Sequence, residues 1–117
     1  MSLKDKITDI YAMLAQGKAM EAFEKYYSDH VVMEELGEEP VKGKEPNRAR
    51  QAGFFTSIKE VHGTGIEAIT ADEAAGVTMV ESWFDASYNN GARFNMEEVA
   101  VQRWENGLIV YEKFYHK

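Results

Sequence analysis

Two Asn-Gly pairs, Asn90-Gly91 and Asn106-Gly107, each stand between runs rich in β-branched and aromatic residues. Both residue types tolerate positive φ, as tight hairpins require. The second half is thereby constrained to an antiparallel meander, with strands expected over 77–88, 93–104 and 108–115. A further strand is expected over 61–70, joined to the meander by a turn at 72–76. Gly63-Thr64-Gly65 lacks the strand-to-helix setting of a nucleotide fingerprint and reads as a bulge or bend.

The first half has a different period. Leu3, Ile7, Ile10 and Leu14 recur at helical spacing and mark one face of a helix ending near Gln16-Gly17. A second helix is expected over 18–27, with a break at Asp29-His30 and a short strand over 31–36. Residues 37–44 read as a loop rich in Gly, Pro and charge, and Pro46 suits the first turn of a third helix reaching about Ser57. The order α-α-β-α-β-β-β-β predicts an α+β class, with three N-terminal helices against one face of a curved antiparallel sheet.

The 117 residues fit one domain spanning 1–117, since two halves would each be near the size where a core becomes marginal. The net charge is −7, and acids outnumber bases 9 to 4 over residues 61–117. Without clustered bases, neither nucleic acid nor an anionic membrane surface is an expected partner. There is no cysteine, which removes disulfides, thiolate nucleophiles and thiolate metal sites, and fits a cytoplasmic setting. The start Met-Ser-Leu-Lys-Asp-Lys has no apolar run behind it, so no signal peptide is expected, and no stretch approaches a membrane span. With no His-x-His and no His-Glu-x-x-His, no metal is expected.

The element order, with several local motifs, resembles the SnoaL-like branch of the nuclear-transport-factor-2-like (NTF2-like) superfamily, which has a cystatin-like fold. Tyr27-Ser28-Asp29-His30-Val31-Val32-Met33-Glu34-Glu35 looks like that family's approach to its first strand. Gly43-Lys44-Glu45 looks like its lead into the third helix, and 106–115 like its final hairpin and strand. The resemblance covers essentially the whole chain. It implies an α+β cone whose curved sheet and helices enclose a small-molecule pocket, and a homodimer formed through the outer sheet face. It does not fix an activity, because this fold hosts isomerases, cyclases, dehydratases, hydrolases and binding proteins.

The resemblance also proposes site residues. Glu35 corresponds to the general base of ketosteroid isomerase, which removes a proton α to a carbonyl. Tyr11 corresponds to its oxyanion donor, with Tyr11 as a core side chain the alternative. Ala100 falls where that enzyme places its second donor, a carboxylic acid, so ketosteroid isomerase is rejected as the specific activity. Side chains alternate along a strand. On the implied alignment Met96, Glu98, Ala100, Gln102 and Trp104 share the pocket face with Glu81, Trp83 and Asp85 and with Glu112, Phe114 and His116. Val80, Phe84, Val99, Val101, Ile109 and Tyr111 then face outward, and a one-residue slip would exchange the two sets.

The expected ligand-binding set is therefore Trp83, Asp85, Glu98, Trp104, Phe114, His62 and Glu81, with Glu35, Glu112 and Tyr11 as catalytic candidates. Crowded carboxylates raise one another's pKa, which suits acid–base work or binding of a hydroxylated or cationic molecule. His62 reads as a proton shuttle or as a surface histidine. Two functions follow: a cofactor-free isomerase, cyclase or dehydratase acting on a small carbonyl compound, with Glu35 or Glu112 as base, or a non-catalytic binding or dimerisation domain of the same fold.

Overall fold

The computed structural model describes residues 1–116. Helix α1 (Leu3–Ala15) starts at a capping box. Ser2 Oγ accepts from the Asp5 N–H at 3.0 Å, and the Asp5 carboxylate accepts from the Ser2 N–H at 3.2 Å. Glu73 adds a second cap from far along the chain, accepting from the N–H groups of Leu3 and Lys4 at 2.9 and 3.1 Å. Ile7 and Ile10 are buried as the periodicity predicts, whereas Leu14 is 38% exposed.

Helix α2 (Ala19–Tyr26) buries Ala22, Phe23 and Tyr26. It runs directly into strand β1 (Tyr27–Glu35), which begins earlier than expected. The break foreseen at Asp29-His30 is instead a register irregularity between Tyr27 and Val32 inside the strand. The expected loop holds a two-residue strand, β2 (Val41–Lys42), paired antiparallel with β1. Helix α3 (Lys44–Thr56) follows Gly43, whose φ of 97° favours glycine. Strands β3 (Ile58–Asp72), β4 (Val77–Tyr88), β5 (Arg93–Glu105) and β6 (Leu108–His116) form the meander.

The sheet order is β2-β1-β6-β5-β4-β3. Every neighbouring pair is antiparallel except β1 with β6, which is parallel, so the sheet is mixed where an antiparallel one was expected. The helices pack on one face, where Ile7, Phe23, Val31, Val80, Trp104 and Ile109 belong to the buried core.

Two turns decide which residues face that core. Between β4 and β5 Ser87 pairs with Arg93 and the Tyr88 N–H donates to the Ala92 carbonyl at 2.8 Å, leaving three residues, 89–91, in the turn rather than a two-residue Asn-Gly hairpin. An odd-length connection pairs like parities, so Val80 faces Ala100, Ser82 faces Glu98 and Phe84 faces Met96. The expected β4 faces are therefore exchanged: Val80 and Phe84 join the inner face, while Glu81 and Asp85 lie on the other. Between β5 and β6 the turn is tight, with Glu105 opposite Leu108 and positive φ at Asn106 and Gly107. One extra residue, Val110, then enters between the pairs Trp104↔Ile109 and Arg103↔Tyr111. The bulge lets Ile109 and Glu112 both point inward, so Ile109 is also corrected from the outer face to the core. Of the described residues, no helix is long and apolar enough to cross a membrane.

Candidate functional site

A cavity of about 670 Å³ lies between the inner sheet face and the helices. Its walls are largely aromatic and aliphatic, from Ile10 and Leu14 on α1, Phe23 on α2, Phe54 on α3, Phe84 on β4 and Phe114 on β6. Polar groups are grouped around Glu112: Tyr11 from α1, Tyr27 and Glu35 from β1, Glu98 from β5 and His116 from β6. An apolar chamber with a few convergent polar groups is the usual form of a small-molecule site.

Glu112 is 2% exposed. Tyr27 Oη donates to its Oε1 at 2.6 Å, and Gln102 Nε2 donates to its Oε2 at 2.8 Å. Burial pushes the Glu112 carboxyl up to about 7, against the two donors, which favour the anion. Glu98 is also pushed up to about 7, by burial first and then by the neighbouring Glu35. The phenol of Tyr11 is raised above its ordinary value by burial and by the charges of Glu112 and Glu98, which keeps it a neutral donor. Tyr27 is raised for the same reasons. Glu35 sits 2.5 Å through Oε2 from His116 Nε2. The group thus combines proton acceptors, a carboxyl poised near neutrality and phenolic donors, which is a set able to move protons.

Glu35, Glu112, Tyr11, Glu98 and Phe114 all border the cavity. Trp83 borders it as well, although its parity differs. Its indole lies across Gly63 and Gly65, the stretch of β3 without side chains. The other four residues expected there lie elsewhere. Trp104 is on the inner face but packs in the core, edge-on to Tyr26, with its Nε1–H on Thr78 Oγ1 at 2.9 Å. Glu81 is exposed on the outer face because of the β4 register. Asp85, turned away by the same register, is held by Arg93 through contacts of 3.0 and 2.8 Å, which keep its carboxyl below the usual range. His62 is exposed, 2.7 Å through Nε2 from Ser87 Oγ, and does not border the cavity.

Ser82, Phe84 and Phe54 border the cavity and were not foreseen. For Ser82 and Phe84 the missing signal was the length of the β4–β5 connection. Helical spacing places Tyr26 or Tyr27 inward, but nothing in the local sequence marks Tyr27 as a partner of Glu112. Among the described residues, no group of three or more His, Asp or Glu is disposed to hold a metal ion.

The pattern of the SnoaL-like domain family matches residues 7–112. A crystal structure of a candidate SnoaL-like polyketide cyclase from Mesorhizobium loti is 28% identical, covers 98% of this chain and 99% of that one, and superposes with a TM-score of 0.81. An NTF2-like protein of unknown function from Burkholderia xenovorans is 18% identical over 97% of this chain and 80% of that one, with a TM-score of 0.74. A protein of ketosteroid-isomerase-like fold from Catenulispora acidiphila, solved with trimethylamine, is 14% identical over 93% of this chain and 83% of that one, with a TM-score of 0.75. The last two show the fold alone, which is the NTF2-like α+β fold. No curated protein matches the chain.

Proposed function

We propose, for a chain that belongs to the SnoaL-like domain family, that the cavity binds a small carbonyl compound and moves protons on it without a cofactor. The observation that carries this reading is the placing of Glu112, Glu98 and Tyr11 on one largely apolar chamber, with both carboxyls pushed up to about 7. Near neutrality each of the two is partly protonated, so one is available as base while the other is an acid. Glu112 in its anionic form takes the proton from the carbon α to the carbonyl. The C–H electrons move into the enolate, whose oxygen accepts hydrogen bonds from Tyr11 and protonated Glu98. Return of the proton to a different carbon gives an isomer. Departure of a β-hydroxyl as water, protonated by Glu112 with the proton it took, gives dehydration, and attack of the enolate carbon on a second carbonyl, whose oxygen takes that proton, gives cyclisation. Glu35, paired with His116, is the second candidate base.

Exchange of solvent deuterium at the α-carbon of small ketones, followed by NMR, tests this reading. Exchange above the buffer rate that is lost in Glu112→Gln supports it. Ketones that bind, as seen by thermal shift, but never exchange would overturn it.

The second reading is a binding module without chemistry. It is favoured by the trimethylamine held in the Catenulispora acidiphila protein, since an amine would sit well against Glu35, Glu98 and Glu112. In either reading the outer sheet face, where Met79 is 44%, Val99 37% and Tyr115 41% exposed, is the surface proposed to pair in a homodimer. Sedimentation at micromolar concentration tests it, and a clean monomer would remove this part.

A further inference from the structure

A chain of buried hydrogen bonds runs behind Glu112, away from the chamber. Trp104 Nε1 donates to Thr78 Oγ1 at 2.9 Å, Thr78 Oγ1 donates to Gln102 Oε1 at 2.7 Å, and Gln102 Nε2 donates to Glu112 Oε2 at 2.8 Å. Thr78 and Gln102 are fully buried, and Trp104 is 6% exposed. The direction of this chain is fixed by its first member. An indole N–H can only donate, so the Thr78 oxygen accepts from it. The single hydroxyl proton of Thr78 then points to Gln102. That proton requires the carbonyl oxygen of the Gln102 amide, so the NH₂ group has to face Glu112. An amide nitrogen accepts no hydrogen bond, so a proton arriving on Glu112 cannot be handed to Gln102.

From these contacts we infer that Trp104, Thr78 and Gln102 are positioning residues: a one-way relay that holds Glu112 as a proton acceptor and leaves its proton exchange to the cavity side. The inference rests on the reading of the chamber as an acid–base site, and it explains how a buried carboxylate is kept usable there. Without the relay, burial alone would favour the neutral acid. With it, two donors from opposite sides favour the anion, since Tyr27 supplies the other. The remaining ionisable groups around Glu112 are Tyr11 from α1, Glu35 from β1, Glu98 from β5 and His116 from β6; Glu35 and Glu98 oppose a further negative charge, the Tyr11 phenol is raised by the charge on Glu112, and His116 is paired with Glu35. Thr78 and Trp104 do not border the chamber, and their hydrogen bonds reach Glu112 by way of Gln102.

The titration of Glu112 in the ligand-free protein, read from its side-chain carboxyl ¹³C resonance, tests the relay. Thr78→Val removes the hydroxyl at nearly constant volume and frees the Gln102 amide to turn. The Glu112 midpoint is expected to rise by about half a pH unit or more, the size of one lost donor. Thr78→Ser, which keeps the hydroxyl, is expected to restore the parental midpoint. A structural role alone would lower melting temperature in Thr78→Val and leave the midpoint in place, and that result overturns the inference. Should Thr78→Val fail to fold, the unaltered protein provides the same test. Hydrogen bonds in series polarise one another, so the Trp104 Nε1–H resonance is expected to follow the Glu112 midpoint. A Trp104 resonance that stays flat through that midpoint overturns the relay. Neither readout involves a ligand. A relay that fails here leaves the proposed proton transfer standing, and absent ketone exchange leaves the relay standing.

Discussion

A Cβ built on Gly65 would lie 2.4 Å from the indole Nε1 of Trp83 and 2.7 Å from its Cε2. The missing side chain on β3 is therefore what seats the indole of β4. Gly63 stands almost as close, with a built Cβ 3.1 Å from the far edge of the same ring. The indole bridges two glycines and has no short slide that relieves an added methyl. Gly65→Ala is expected to lift the ring and destabilise the fold by roughly 1–3 kcal/mol, as overpacking does. Thermal melting and the emission of Trp83, recorded in a Trp104→Phe background, check this. An unchanged melt with unchanged emission would contradict it.

The buried carboxyls of Glu98 and Glu112 set a pH dependence of stability. Both have folded values raised to about 7, from ordinary values near 4.5. A group raised on folding contributes its stability below its unfolded value and loses it as pH rises through the folded value. The protein is expected to melt at a higher temperature at pH 5.5 than at pH 8. Glu34 and Asp85 are lowered by their partners and act oppositely, but their contribution is lost only in more acid solution, below the ordinary carboxyl range. Calorimetry across this window checks the sign. Glu112→Gln is expected to flatten the slope, and a slope that rises with pH would refute the assignment.

Asn47 is fully buried at the start of α3. Its Nδ2 donates to the carbonyls of Gly43 and Val41 at 2.8 and 2.9 Å and approaches that of Val31 at 3.4 Å. One side chain thus ties the helix to β1 and β2. Asn47→Ala leaves these carbonyls without that donor and is expected to cost about 2–4 kcal/mol. Hydrogen exchange at the Val41–Lys42 strand, which has little else to hold it, is expected to accelerate most. Urea unfolding combined with exchange measures both effects.

Glu73 caps α1 from the β3–β4 turn through two contacts. The Ser2–Asp5 box remains when it is removed. Glu73→Ala is therefore expected to cost only about 0.5–1 kcal/mol, the ordinary worth of a cap or of an acid at a helix N-terminus. Glu73→Gln is expected to recover part of the loss, because its oxygen still accepts one hydrogen bond. Parallel melting curves of the two variants decide this.

Helices and strands were legible wherever a period or turn signal was local. Ile7 and Ile10 mark α1, and Asn106-Gly107 fixes a two-residue hairpin whose geometry the structure reproduces. Which side of β4 faces inward was not legible, because the Asn90-Gly91 signal fixes a turn but not how many residues lie outside the pairing. The structure leaves three residues in the turn, and that odd count exchanges Glu81 and Asp85 for Ser82 and Phe84. On β6 the bulge at Val110 offsets the parity of the tight turn, so Glu112 and Phe114 border the cavity as expected. Trp104 shows a different limit. Strand parity gives the side of the sheet, whereas its place under α2 depends on packing between segments distant in sequence.

The Val110 bulge has a consequence for how this chamber can change over generations. Beyond it, the chain alternates Tyr111, Glu112, Lys113, Phe114, with the acid inside and the base outside. Pairing Val110 with Arg103, with no bulge, would carry the tail of the last strand by one step, turning Glu112 to the outer face and bringing Tyr111 opposite Gln102. The charge of the interior thus depends on one unpaired residue as much as on the letters that follow it. A lineage that lost the bulge by pairing Val110 would lose the buried acid with no substitution.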